Sequence, residues 1–185
     1  MSEQVTEKWS NQIQWQKDSN YIIRCIEETF SESKSSGSPM ITLEFEVAAP
    51  EMMKVGDHEY MIAGVKAGLK SYYPTISLTP DGEVDVVKTA NAQERVKTLF
   101  RAFDLDDTNI NFVNPTLAFK GKTVYALLDN EETAQRKSPT KDQLSKGQKQ
   151  GDVLLNPKTK KPLMQNYPKV REIFGTASVE SGAAY

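Results

Sequence analysis

The chain has 185 residues, 38% of them apolar and 26% charged, and carries a net charge of -2. That length holds one domain with a proper core and falls short of two ordinary ones, and no apolar run is long enough to cross a bilayer. One cysteine, Cys25, and one histidine, His58, exclude an internal disulfide framework and zinc sites built from several Cys or His.

The opening stretch "MSEQVTEKWSNQIQWQKDSN" lacks the apolar core of a secretion signal, so a reducing, cytoplasmic setting is expected. Residues 1–19 read as an N-terminal arm, with Trp9 and Trp15 six positions apart in polar surroundings. A first strand is expected over Tyr21 to Glu28. The stretch "SESKSSGSP" follows, too long for a two-residue turn. In the next strand, Ile41, Leu43, Phe45 and Val47 share one face, and Thr42, Glu44 and Glu46 share the other. A third extended region runs from Tyr60 to Leu78, interrupted by Gly64 and Gly68, with Pro74 favouring an edge or a bulge. "TPDGEVDVV" then reads as a tight turn at Asp81-Gly82 and a short strand.

Periodicity changes at "NAQERVKTLFRAFDLD". Ala92, Val96, Leu99, Phe100 and Phe103 fall at helical spacing, and Asn91 with Glu94 three positions later forms a capping pair. Strands are expected again at Thr116 to Phe119 and Thr123 to Leu128, around a Lys120-Gly121 turn. Residues 129–161 form a long basic loop with few large apolar groups. Order returns at "PLMQNYPKVREIF", where Val170 and Ile173 rejoin the body, and residues 176–185 read as a tail. Residues 1–119 carry 11 Lys and Arg against 18 Asp and Glu, whereas residues 120–175 carry 12 against 6, so an acidic part precedes a basic one.

Three strands, one helix and further strands over residues 20–175 give a mainly β chain in the order of an OB-fold. That is a five-stranded, partly open barrel with its helix between the third and fourth main strands. A different α+β sheet with one packed helix is the alternative.

Catalytic motifs are scarce. Cys25 alternates within an apolar strand, as a buried structural thiol does, and His58 sits in the polar context "GDHEY". "GKT" at Gly121 to Thr123 lacks the glycine five positions earlier that a phosphate loop needs, since Thr116 stands there. "DLDDTN" fails the calcium-loop pattern, with Asn109 where glycine is required. Glu83, Asp85 and Lys88 could serve a metal-dependent nuclease, but alternation in an exposed hairpin explains the same residues and is the reading they favour. No enzyme activity, cofactor or metal is expected.

Binding is what the residue types favour. Proteins that hold single-stranded nucleic acid set flat rings, on which bases stack, beside cations that meet the phosphates. Tyr60, Tyr72, Tyr73 and Tyr125 are the expected stacking platforms. Lys34, Lys66, Lys70, Lys120 and Lys122 are the expected phosphate contacts, joined by Arg136 and Lys137 from the basic loop. Tyr72 and Tyr73 are adjacent, so on a strand they point to opposite faces.

"YIIRCIEETFSESKSSGSPMITLEFEV", "KGKTVYALLDNEE" and "NYPKVREIFG" after a lysine-rich stretch give residues 20–175 a pattern that resembles the single-stranded-DNA-binding proteins of bacteriophages. The resemblance implies coating of single strands during phage replication, recombination and repair, without sequence preference and without a cofactor. It also implies contact with replication or recombination proteins in the cytoplasm of a bacterial host. Many such proteins end in a strongly acidic tail, whereas "SVESGAAY" holds a single acid, Glu180. The rival expectation is a protein-interaction or virion component anchored by Trp9 and Trp15.

Overall fold

A computed structural model describes residues 7–8, 14–32, 34, 39–72, 81–148 and 150–177. In chain order the elements are β1 (Glu7–Lys8), β2 (Asn20–Glu32), β3 (Pro39–Ala49), β4 (Met52–Val55), β5 (His58–Met61), β6 (Lys66–Tyr72), α1 (Val86–Ala102), β7 (Thr123–Ala134), α2 (Lys141–Ser145) and β8 (Met164–Thr176). The fold is mainly β. Five strands form an unclosed antiparallel sheet in the order β6-β3-β2-β7-β8, and a small sheet has the order β1-β5-β4.

Strand alternation explains the main sheet. Ile41, Leu43, Phe45 and Val47 of β3 are buried, as are Val124, Ala126 and Leu128 of β7, and the residues between them look outward. Helix α1 turns Val96, Leu99, Phe100 and Ala102 into the core. Phe119 is wholly buried and meets Phe100 and Phe103 edge-to-face, with centroids 5.0 and 5.1 Å away. Such perpendicular arrangements suit the ring quadrupole.

The two outermost strands come together without a hydrogen-bonded ladder. A methyl group on Gly68 of β6 would lie 3.5 Å from the Pro168 carbonyl oxygen and 3.9 Å from the Lys169 Cα of β8. Gly68 has a φ of +82°, a conformation that glycine adopts without a Cβ penalty.

Several sequence expectations are corrected. The helix begins at Val86 rather than Asn91. Asp85 is its cap, its carboxylate accepting the Lys88 backbone N–H at 3.0 Å, so Val86 to Lys88 are helical rather than a strand. Residues 116–119 form no strand, although Lys120-Gly121 does make a turn. The extended region after Tyr60 is divided between β5 and β6, and a β4–β5 hairpin with a turn at Gly56-Asp57 precedes it.

The long basic loop is largely ordered. Residues 129–134 continue β7, and the rest is an arm containing α2 and the bridges Arg136↔Val153 and Leu155↔Pro162. Thr140 and Gln143 form a reciprocal capping box at the start of α2.

Trp15 belongs to the body rather than to a free arm. It is 2% exposed, packs edge-to-face on Tyr21 with centroids 5.3 Å apart, and exchanges backbone hydrogen bonds with the Asn130 side chain. Trp9, Tyr73, Pro74, Lys149 and the tail from residue 178 lie outside the described residues.

Candidate nucleic-acid interface

The tyrosines expected to stack are distributed over three places. Tyr60, on β5 of the small sheet, is half-buried against the core, with its ring centroid 6.2 Å from that of His58. Tyr72 ends β6 and forms one wall of a cleft of about 550 Å3, together with Arg95, Leu99, Arg171 and Ile173. Burial there raises its phenol pKa above the ordinary value. Tyr125 is half-buried on the outward side of β7, between the buried Val124 and Ala126.

The exposed rings are elsewhere. Tyr167 is 40% exposed and Phe174 is 49% exposed, both on β8. In "NYPKVREIF", Pro168 and Val170 are buried while Tyr167, Lys169 and Arg171 are exposed, which is a period-two pattern. That alternation is the signal the sequence offers, and reading the segment through Val170 and Ile173 alone misses it. Lys169 pairs with Glu131 at 3.4 Å and Arg171 with Asp129 at 3.5 Å.

The expected cations divide into two populations. On and beside β2, β3 and β6, three described cations meet carboxylates: Arg24 meets Glu46 at 3.0 Å, Lys66 meets Glu44 at 3.9 Å, and Lys120, in the turn before β7, meets Glu27 at 2.9 Å. The Lys120 ammonium holds the Glu27 carboxyl below its ordinary pKa, and Glu27 in turn raises that of Lys120. Glu28 is engaged differently, accepting the backbone N–H groups of Phe119 at 2.7 Å and Lys120 at 3.2 Å.

The arm differs. Lys137, Lys141, Lys158, Lys160 and Lys161 are exposed, and none has a carboxylate partner among the described residues. Arg136 donates to the Gly151 carbonyl at 3.2 Å. The arm's tip is a fixed turn, in which the Asn156 carboxamide oxygen accepts the N–H groups of Lys158 at 2.9 Å and Thr159 at 3.1 Å. Three lysines are thereby presented from one short, ordered segment.

Lys34 is exposed between β2 and β3. Lys122 is half-buried and its backbone is tied to Cys25 and Phe119. The side chain of Lys70 lies outside the description, while its backbone is in register with Leu43.

The enzymatic alternatives find no assembled site among the described residues. Cys25 is wholly buried on β2 and His58 is exposed on β5. Asp85 is occupied as a helix cap and ion-pairs with Lys88 at 3.3 Å. No group of three His, Cys, Asp or Glu able to hold a metal ion occurs among these residues, and no helix there is long and apolar enough to cross a membrane. Comparison with family models, with curated proteins and with solved structures finds no match for this chain.

Proposed function

We propose that the chain is a sequence-tolerant single-stranded-DNA-binding protein built on an OB-type barrel. The observation that carries this reading is the strand order β6-β3-β2-β7-β8, with α1 inserted between β6 and β7 and with β6 and β8 brought side by side at Gly68 and Pro168. In an OB barrel the five main strands follow that order, and oligonucleotides lie against the second and third strands and the loops after the first and fourth. Here those are β3, β6, the 33–38 connection and the 135–163 arm.

Phosphates meet the unpaired arm lysines, assisted by Lys34, Arg136 and Lys122. The outward rings lie beyond that pair of strands, with Tyr125 on β7 and Tyr167 and Phe174 on β8, so base stacking extends the footprint across β7 and β8. Tyr60 and Tyr72 support the body more than they contact a ligand. A role in phage replication, recombination or repair within a bacterial host rests on the sequence resemblance.

Titration of a labelled oligonucleotide at several salt concentrations tests the proposal. Affinity is expected to fall as salt rises, because each neutralised phosphate releases a counterion. A variant with Gln at 137, 158, 160 and 161 is expected to flatten the log–log slope by up to about 3, at ~0.7 per contact on a single strand. Absence of binding at low salt overturns the proposal, and an unchanged slope removes the arm from it.

A second reading, a protein-interaction component, is favoured by Val84, Val86 and Val87, exposed by 50, 71 and 70% around the start of α1. It predicts a stable protein complex with no salt-sensitive binding to DNA.

A further inference from the structure

Ion pairing on the sheet bears on how tightly a polyanion is held. Lys66 stands on β6, one of the strands where an OB barrel seats its ligand, Arg24 stands across from β3 on β2, and Lys120 lies in the turn before β7; each meets a carboxylate, two of them on β3. Alternation places the carboxylates there as well. Phe45 and Val47 are buried, so Glu44 and Glu46 face outward, and the register sets Glu46 opposite Arg24 and Glu44 opposite Glu27.

The pairs are open to water, with side-chain exposures of 41 and 24% for Arg24 and Glu46, 77 and 40% for Lys66 and Glu44, and 56 and 52% for Lys120 and Glu27. Exposed pairs of this kind are weak, so another anion can replace the carboxylate.

We propose that Glu27, Glu44 and Glu46 act as built-in competitors of the phosphate backbone, occupying Arg24, Lys66 and Lys120 in the free protein and setting its affinity for nucleic acid. The proposal rests on the DNA-binding reading. When a phosphate displaces one of these carboxylates, the cation is neutralised before and after, and the freed carboxylate gathers a cation from solution. Such a contact releases almost no net counterion. The sheet therefore contributes little to salt dependence, whereas the unpaired arm lysines contribute fully.

The test compares the full chain with Glu27→Gln, Glu44→Gln and Glu46→Gln, singly and together, titrated with a labelled thymidine oligonucleotide across salt concentrations. Glutamine keeps the shape and removes the charge. Glu32→Gln is the control, because Glu32 is exposed on the same strand with no cation partner among the described residues. Thermal melting shows whether each variant is folded.

The triple variant is expected to bind on the order of tenfold tighter at low salt and to steepen the log–log slope by up to about 2, at ~0.7 for each of three cations set free. Glu32→Gln is expected to change either quantity far less than Glu27→Gln. An unmodified chain that binds, with a triple variant of unchanged affinity and slope, overturns the competition and leaves DNA binding standing. A Glu32→Gln effect equal to that of Glu27→Gln overturns it too, as a mere effect of net charge. No binding by any form overturns both this proposal and the reading beneath it.

Discussion

Cys25 has a chemistry fixed by its surroundings. Burial pushes its thiol up from an ordinary value of 9.0 to about 12, and the neighbouring Glu28 carboxylate adds to the rise. Below about 9 the thiol is protonated in both folded and unfolded chains, so its full contribution to stability is present. Between about 9 and about 12 the unfolded chain loses the proton and the folded chain does not, so stability falls as pH rises. The phenols of Tyr21 and Tyr72 are raised by burial as well and act in the same direction. Melting temperatures measured at pH 8, 10 and 11 are expected to decline progressively. A thiol reagent at pH 8 is expected to modify the native chain only as fast as it opens, since the thiolate is the reactive form.

Elements with strong periodicity are legible in the amino-acid sequence. The buried positions of β3 follow from its strict alternation, and Val96, Leu99, Phe100 and Phe103 follow from helical spacing. The start of α1 is not legible in this way, because "EVDVV" alternates like a strand, while Asp85 caps a first turn whose valines face water. Tertiary setting decides there against local pattern. Replacing Asp85 by Ala is expected to cost ~1 kcal/mol in denaturant unfolding, as caps do, and Asn91→Ala is expected to cost little, since Asn91 lies inside the helix. The arm is illegible for another reason. Its order comes from backbone bonds between distant residues, such as Lys137 N–H to the Asp152 carbonyl at 2.9 Å and Leu154 N–H to the Gln135 carbonyl at 2.8 Å, which composition does not reveal. Gly151 fits only because it lacks a side chain: a Cβ would lie 2.5 Å from the Lys137 carbonyl oxygen and 2.7 Å from that of Ser138. Gly151→Ala is expected to open the arm, accelerating tryptic cleavage after Lys137 and Lys141 while leaving the melting temperature of the body nearly unchanged.

Across the whole molecule, the order of patterned segments is enough to reach the overall β architecture, but reaches the proposed interface only in part. The expected cations exist, yet sequence does not reveal which of them carboxylates already hold, because the partners are strands apart: Glu46 is 22 residues from Arg24 and Glu27 is 93 from Lys120. The aromatic set shifts for a similar reason, since the cleft wall that takes up Tyr72 is made by α1 and β8. The unclosed sheet has one more consequence. Its two outer strands offer backbone groups to which a second copy could add itself, the usual route to aggregation. Where the two outer strands meet, Gly68 of β6 lies against Pro168 and Lys169 of β8, and buried Pro168 closes that stretch of margin without a donor of its own to leave unpaired. Pro168→Thr is expected to put an extra N–H into that seam and to lower the melting temperature, so the proline spares the open sheet a polar group where its two margins touch.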